Sequence, residues 1–84
     1  MAEIIIYSTA HCPYCVQARN LFQRKGVDFQ EIKVDENPEK RDEMIEKTQR
    51  RTVPQIFING RYIGGCTDLY ALDFKGELDK LLEE

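Results

Sequence analysis

Ile4-Ile5-Ile6-Tyr7-Ser8-Thr9-Ala10-His11-Cys12-Pro13-Tyr14-Cys15 is a strand-forming run that gives way, within a few residues, to a helix start carrying two cysteines. β-Branched and aromatic side chains over residues 3–8 suit a buried strand. Pro13 suits a first helical turn, which puts Cys12 at the helix N-terminus. Unpaired backbone N–H groups and the helix dipole favour negative charge there. A cysteine so placed is pushed toward thiolate, the form that attacks disulfides and binds metals. Cys15 follows at helical spacing on the same face, within reach of a disulfide with Cys12. The pair reads as redox chemistry.

Beyond this stretch, Cys15, Ala18, Leu21 and Phe22 recur at three- and four-residue spacing, and Gly26 suits the position just past the helix end. An amphipathic helix over 13–25 follows. Residues 28–34 alternate weakly as a second strand. Asn37-Pro38-Glu39 is a cap, a proline and an acid, the start of a helix running to about Gln49. Its only large apolar residues are Met44 and Ile45, so most of it faces solvent. Gln55-Ile56-Phe57-Ile58 and Tyr62-Ile63 flank Asn59-Gly60, a strong hairpin signal. Thr67-Asp68 can cap a last helix carrying Leu69, Leu72, Leu78, Leu81 and Leu82, with Gly76 as an interruption. The order βαβαββα implies a parallel first pair of strands, an antiparallel last pair, and a four-stranded mixed sheet with helices on both faces.

Eighty-four residues make one domain, 1–84. A 42% apolar and 32% charged composition describes a small domain with a well-charged surface. The net charge of −3 is spread evenly along the chain and gives no reason to expect nucleic-acid binding. No apolar run approaches a membrane span, and Met1-Ala2-Glu3 does not open a signal peptide, so a cytoplasmic protein is expected. Three cysteines is an odd count, which argues against a secreted disulfide scaffold. In a reducing compartment a close pair is catalytic or metal-binding sooner than structural. Zinc wants four ligands; beyond the pair the chain offers Cys66, carboxylates and His11, which sits too close to Cys12 to complete a tetrahedron. No metal is expected.

Three separated segments, Cys12-Pro13-Tyr14-Cys15, Thr52-Val53-Pro54-Gln55-Ile56-Phe57 and Ile63-Gly64-Gly65-Cys66-Thr67-Asp68, together resemble the glutaredoxins, and most closely the short bacterial dithiol type. The likeness covers nearly the whole chain. It implies an α/β thioredoxin fold and glutathione-dependent reduction of protein disulfides and glutathione mixed disulfides by a cytoplasmic monomer. It implies Cys12 and Cys15 as the catalytic pair and glutathione as the reducing co-substrate. Disulfide-containing or glutathionylated proteins are the implied partners. By the same resemblance Tyr14 flanks the thiol site, Val53 before a cis Pro54 pairs its backbone with the tripeptide's, and Gly65, Cys66, Thr67 and Asp68 hold the γ-glutamyl end. Physics supports parts of this independently. A strand end such as Thr52-Val53 can pair with an extended peptide, capping-turn N–H groups suit a carboxylate, and Asp68 suits an ammonium group.

One departure stands out. The family usually places Lys or Arg three residues before the first cysteine, where this chain has Thr9; Arg51, or Arg50, is the nearby cation that can substitute. Two other readings compete. A thioredoxin-like reductant is opposed by Tyr14 between the cysteines and by the absence of tryptophan. A non-enzymatic carrier of an iron–sulfur cluster shared across a dimer is opposed by Pro13 and by the presence of Cys15.

Overall fold

The computed structural model describes residues 2–83. Eight elements follow one another: β1 (Ile4–Ser8), α1 (Pro13–Arg24), β2 (Gln30–Lys33), α2 (Pro38–Thr48), β3 (Gln55–Ile58), β4 (Arg61–Gly64), α3 (Cys66–Phe74) and α4 (Glu77–Leu82). The strands form one sheet in the order β2-β1-β3-β4. β1 and β2 are parallel, joined by α1 as crossover, whereas β3 runs antiparallel to both β1 and β4. This is the mixed sheet expected from the element order.

The pleat decides what each face buries. Along β1, Ile4 and Ile6 point to one face with Ile56 and Ile58 of β3, under Ala18, Leu21 and Phe22 of α1, Leu69 of α3 and Leu78 of α4. Ile5 and Tyr7 point to the other, with Val34 and Phe57, under Met44 of α2. Each fully buried large side chain contributes about 1.5–3 kcal/mol of transfer free energy. The second face is the thinner one and is reinforced by polar chemistry. The Tyr7 hydroxyl donates to Glu43 of α2 at 2.7 Å. That bond holds the Glu43 carboxyl below its ordinary range, while burial and then Glu43 hold the Tyr7 proton on.

Local signals account for the joints. Asn59 and Gly60 take φ of 53° and 80°, the left-handed pair that a two-residue hairpin needs. Asn37 caps α2 through its side chain, accepting from the Lys40 N–H at 3.3 Å. Two expectations need correction. The N-cap of α3 is Gly65, so Thr67 and Asp68 lie inside the first turn, where the Asp68 side chain caps from within by accepting the Gly65 N–H. The interruption expected at Gly76 is present: α3 and α4 are parted where Gly76 enters the left-handed region at φ 76°. β2 is shorter than residues 28–34, because its parallel pairing with β1 spans only Gln30 to Lys33.

Candidate active site

The site lies where three chain segments meet at one end of the sheet. Cys12 follows β1 and is the N-cap of α1, with extended backbone (φ −111°, ψ 112°) and Pro13 next in the helix. Its Sγ takes the role that a serine or aspartate oxygen takes in other helices, accepting the Cys15 backbone N–H at 3.3 Å. The Cys12 thiol in turn points to the Val53 carbonyl oxygen at 3.7 Å. Cys12 is partly exposed, whereas Cys15, one turn inside on the apolar face, is fully buried; both are free cysteines. Burial, followed by the adjacent Cys12 sulfur, pushes the Cys15 thiol up to about 12, while the Thr9 backbone and Arg19 work the other way. The two cysteines therefore differ in access although they are one helical turn apart.

A cleft of about 230 Å³ opens beside Cys12, lined by Tyr14, Arg50, Thr52, Val53, Pro54, Gln55, Gly65, Cys66, Thr67 and Asp68. One wall is the turn leading into β3, where the Val53–Pro54 peptide bond is cis, as the resemblance implied. Gln55 braces that turn from beneath. It is almost wholly buried and donates to the Thr52 carbonyl at 2.9 Å, while accepting the Tyr62 hydroxyl at 2.6 Å. Its position inside the Thr52–Phe57 segment was the available signal, but alternation along a strand cannot distinguish a buried polar brace from an exposed glutamine.

The opposite wall is the start of α3. The Asp68 carboxylate folds back to accept the Gly65 N–H at 3.0 Å. Gly64 makes that approach possible. A Cβ at Gly64, whose φ is 119°, would overlap the Asp68 carboxylate, whereas one at Gly65 would make ordinary contact, 3.4 Å from the Pro54 carbonyl oxygen on the facing wall. Cys66 is the first residue of α3; it is buried, and burial followed by the Cys12 sulfur pushes its thiol up. Tyr14 stands 59% exposed at the rim, a free aromatic face beside the thiol.

The cation on the cleft is Arg50, not Arg51. Arg50 faces Asp68 across the opening at 3.9 Å, whereas Arg51 is exposed and lies outside the lining. The left-handed residue Gln49 ends α2 and reverses the chain. Which of two adjacent arginines then faces the cleft is decided by this turn, which composition cannot show.

The glutaredoxin family model matches residues 4–63. Glutaredoxin 3 of Escherichia coli K12 is 55% identical over 83 residues, covering 99% of this chain and 100% of that protein. The chain belongs to the glutaredoxin family. The solution structure of a Brucella melitensis glutaredoxin superposes with a TM-score of 0.86 at 51% identity, covering 98% of this chain and 89% of that one. A buckwheat glutaredoxin–glutathione complex superposes with a TM-score of 0.89 at 30% identity, covering 95% of this chain and 76% of that one. The β2-β1-β3-β4 sheet of this glutaredoxin is thus a thioredoxin-like fold, and its activity class is thiol–disulfide oxidoreductase.

Proposed function

We propose that this glutaredoxin is a glutathione-dependent reductant of protein disulfides and glutathione mixed disulfides, acting through Cys12 and Cys15. The carrying observation is the cleft itself. It is lined by Val53 and by the start of α3 with its Asp68 carboxylate, and the Cys12 thiol points to the carbonyl of that same Val53. The buckwheat glutaredoxin–glutathione complex, of the same fold, supports glutathione as the occupant.

In the first step the Cys12 thiolate attacks the glutathione sulfur of a glutathione–protein mixed disulfide. A Cys12–glutathione disulfide forms and the protein sulfur leaves as thiolate, taking a proton from solvent. A second glutathione thiolate then attacks the glutathione sulfur of that adduct, releasing oxidised glutathione and the Cys12 thiolate. With a protein disulfide, Cys15 attacks the Cys12 sulfur of the mixed disulfide instead, leaving a Cys12–Cys15 bridge that two glutathiones reduce. A sulfur that caps a helix is stabilised as a departing anion by the N–H groups it faces, so the α1 start assists each step in which Cys12 leaves.

In the cleft, the Val53 backbone pairs with the peptide part of glutathione, and Tyr14, Thr52 and Pro54 shape that wall. The Asp68 carboxylate takes the α-ammonium, while backbone of Gly65, Cys66 and Thr67 at the α3 start takes the γ-glutamyl carboxylate. Arg50 supplies the cation for the glycyl carboxylate, with Arg51 adjacent as a longer-range positive charge. Among the described residues no helix is long and apolar enough to cross a membrane, and we assign the chain to the cytoplasm as a monomer. The test is a glutathione-coupled assay on a small mixed disulfide with wild type, Cys12→Ser and Cys15→Ser. Turnover lost with Cys12→Ser and retained with Cys15→Ser is expected; equal loss in both would overturn the division of roles.

A further inference from the structure

The face of β1 that carries Ile4 and Ile6 ends on a polar residue. Ser8 is fully buried, and its hydroxyl donates to Glu31 of β2 at 2.7 Å. Glu31 sits beside Ile6 in the parallel register and therefore points to the same face, toward α1. There its carboxylate also takes the Arg19 guanidinium in an ion pair whose side chains are about one-fifth exposed. Arg19 is four residues after Cys15, one turn along the same face of α1. A chain of three polar groups thus crosses an otherwise apolar layer and ends on the residue one helical turn beyond the buried thiol.

We propose that Arg19, held in place by Glu31 and Ser8, is a positioning residue that readies Cys15 for its attack on the Cys12 mixed disulfide. This rests on Cys15 being the resolving thiol. The opposition to charge on Cys15 falls during the cycle. Burial opposes it throughout, and with Cys12 free the Cys12 sulfur one turn away adds to that opposition. Once Cys12 is bonded to a substrate sulfur the second part ends, while the Thr9 backbone and the Arg19 charge remain on the favourable side. The other groups near it do not compete. Ser8 of β1 is neutral, Glu31 is spent on Ser8 and Arg19, Lys33 of β2 acts on Glu31, and Cys66 of α3 is a buried neutral thiol. In the step itself the Cys15–Cys12 disulfide forms, the Cys12–substrate bond breaks, and the substrate sulfur leaves with the electron pair and takes up the proton Cys15 gave to solvent.

The probe is an aromatic disulfide whose thiol is coloured when released, mixed rapidly with the reduced protein across a pH series. The first equivalent reports attack by Cys12, and the second, independent of probe concentration, reports attack by Cys15. Arg19→Gln is expected to slow the second phase roughly threefold to tenfold at neutral pH, the scale of one partly screened charge, and to move its pH profile upward. Arg19→Lys, which keeps the charge, should restore both. Glu31→Gln keeps oxygen for Ser8 and Arg19 but removes the compensating charge, so it should leave the profile in place or move it down. An unshifted profile in Arg19→Gln, or equal slowing in all three variants, overturns the proposal. A second equivalent still released at the wild-type rate by Cys15→Ser would instead overturn the resolving role of Cys15.

Discussion

Two helix starts border the site, and each carries a cysteine, yet they do opposite things. At α1 the cysteine is the N-cap itself, so its sulfur lies outside the helix, partly exposed, and accepts a first-turn N–H. At α3 the cap is Gly65 and the cysteine is one residue further in. That single step turns Cys66 inward, where its thiol is buried and pushed up, and leaves the capping to the Asp68 carboxylate. A helix N-terminus is therefore not by itself a reactive-thiol site. The offset between cap and first turn decides whether the dipole serves a nucleophile or a ligand.

The largest expected effect tests that contrast directly. Alkylation of the native reduced protein with a small haloacetamide should modify Cys12 at least about tenfold faster than Cys66 or Cys15, with both catching up on unfolding. Peptide mass analysis against time reads this; comparable rates for Cys12 and Cys66 would erase the difference between the two helix starts. Cys12→Ser should at the same time remove all disulfide exchange.

On the α3 side, Asp68→Asn keeps an oxygen for the Gly65 N–H while removing the charge. It should raise the glutathione concentration needed for half-maximal turnover about fivefold to tenfold, the cost of one charge-assisted contact of about 1–1.5 kcal/mol. Thermal unfolding should barely move. A large loss of stability with unchanged glutathione dependence would show that Asp68 is a cap and nothing more.

The α1 side also has a polar support of its own. Burial opposes ionisation of Glu31, but hydrogen bonds from Ser8 and Arg19 outweigh it and hold the carboxyl below its ordinary value of 4.5. A carboxyl depressed in the folded state stabilises it above the unfolded value, and that contribution disappears as pH falls through the folded value. Acid denaturation should therefore be shallower below about pH 4.5 in Glu31→Gln than in wild type. Equal acid limbs would mean that the carboxylate gains as much from water as from Arg19.

The smallest effect concerns Thr9, just before the α1 start. Thr9→Lys adds the missing cation near Cys12 and should lower the glutathione requirement by less than about tenfold, with the gain shrinking at high salt. No change would mean that Arg50 already fills the role, or that position 9 faces away from the cleft.

Local periodicity and local turn chemistry made most of the fold legible. The strand before Cys12, the helix after it, the Asn59-Gly60 turn and the Gly76 break are all set by residues within one turn of each other, where sterics and capping act. The dithiol was legible for the same reason, since Cys12 and Cys15 lie on one helical turn. Three features escaped that reading because they are made between elements. Thr67-Asp68 looked like the cap position, but Gly65 is the N-cap and Asp68 caps it from inside the first turn, an approach that Gly64 leaves room for. Of Arg51 and Arg50, which the sequence offered together without a choice between them, Arg50 lines the cleft. The Ser8–Glu31–Arg19 chain joins residues on β1, β2 and α1. Sequence alone determined where helices could begin and which cysteine stands at one. Only the tertiary structure decided which charges meet there, because electrostatic and hydrogen-bond partners are chosen by distance in space, and separation along the chain does not encode that distance.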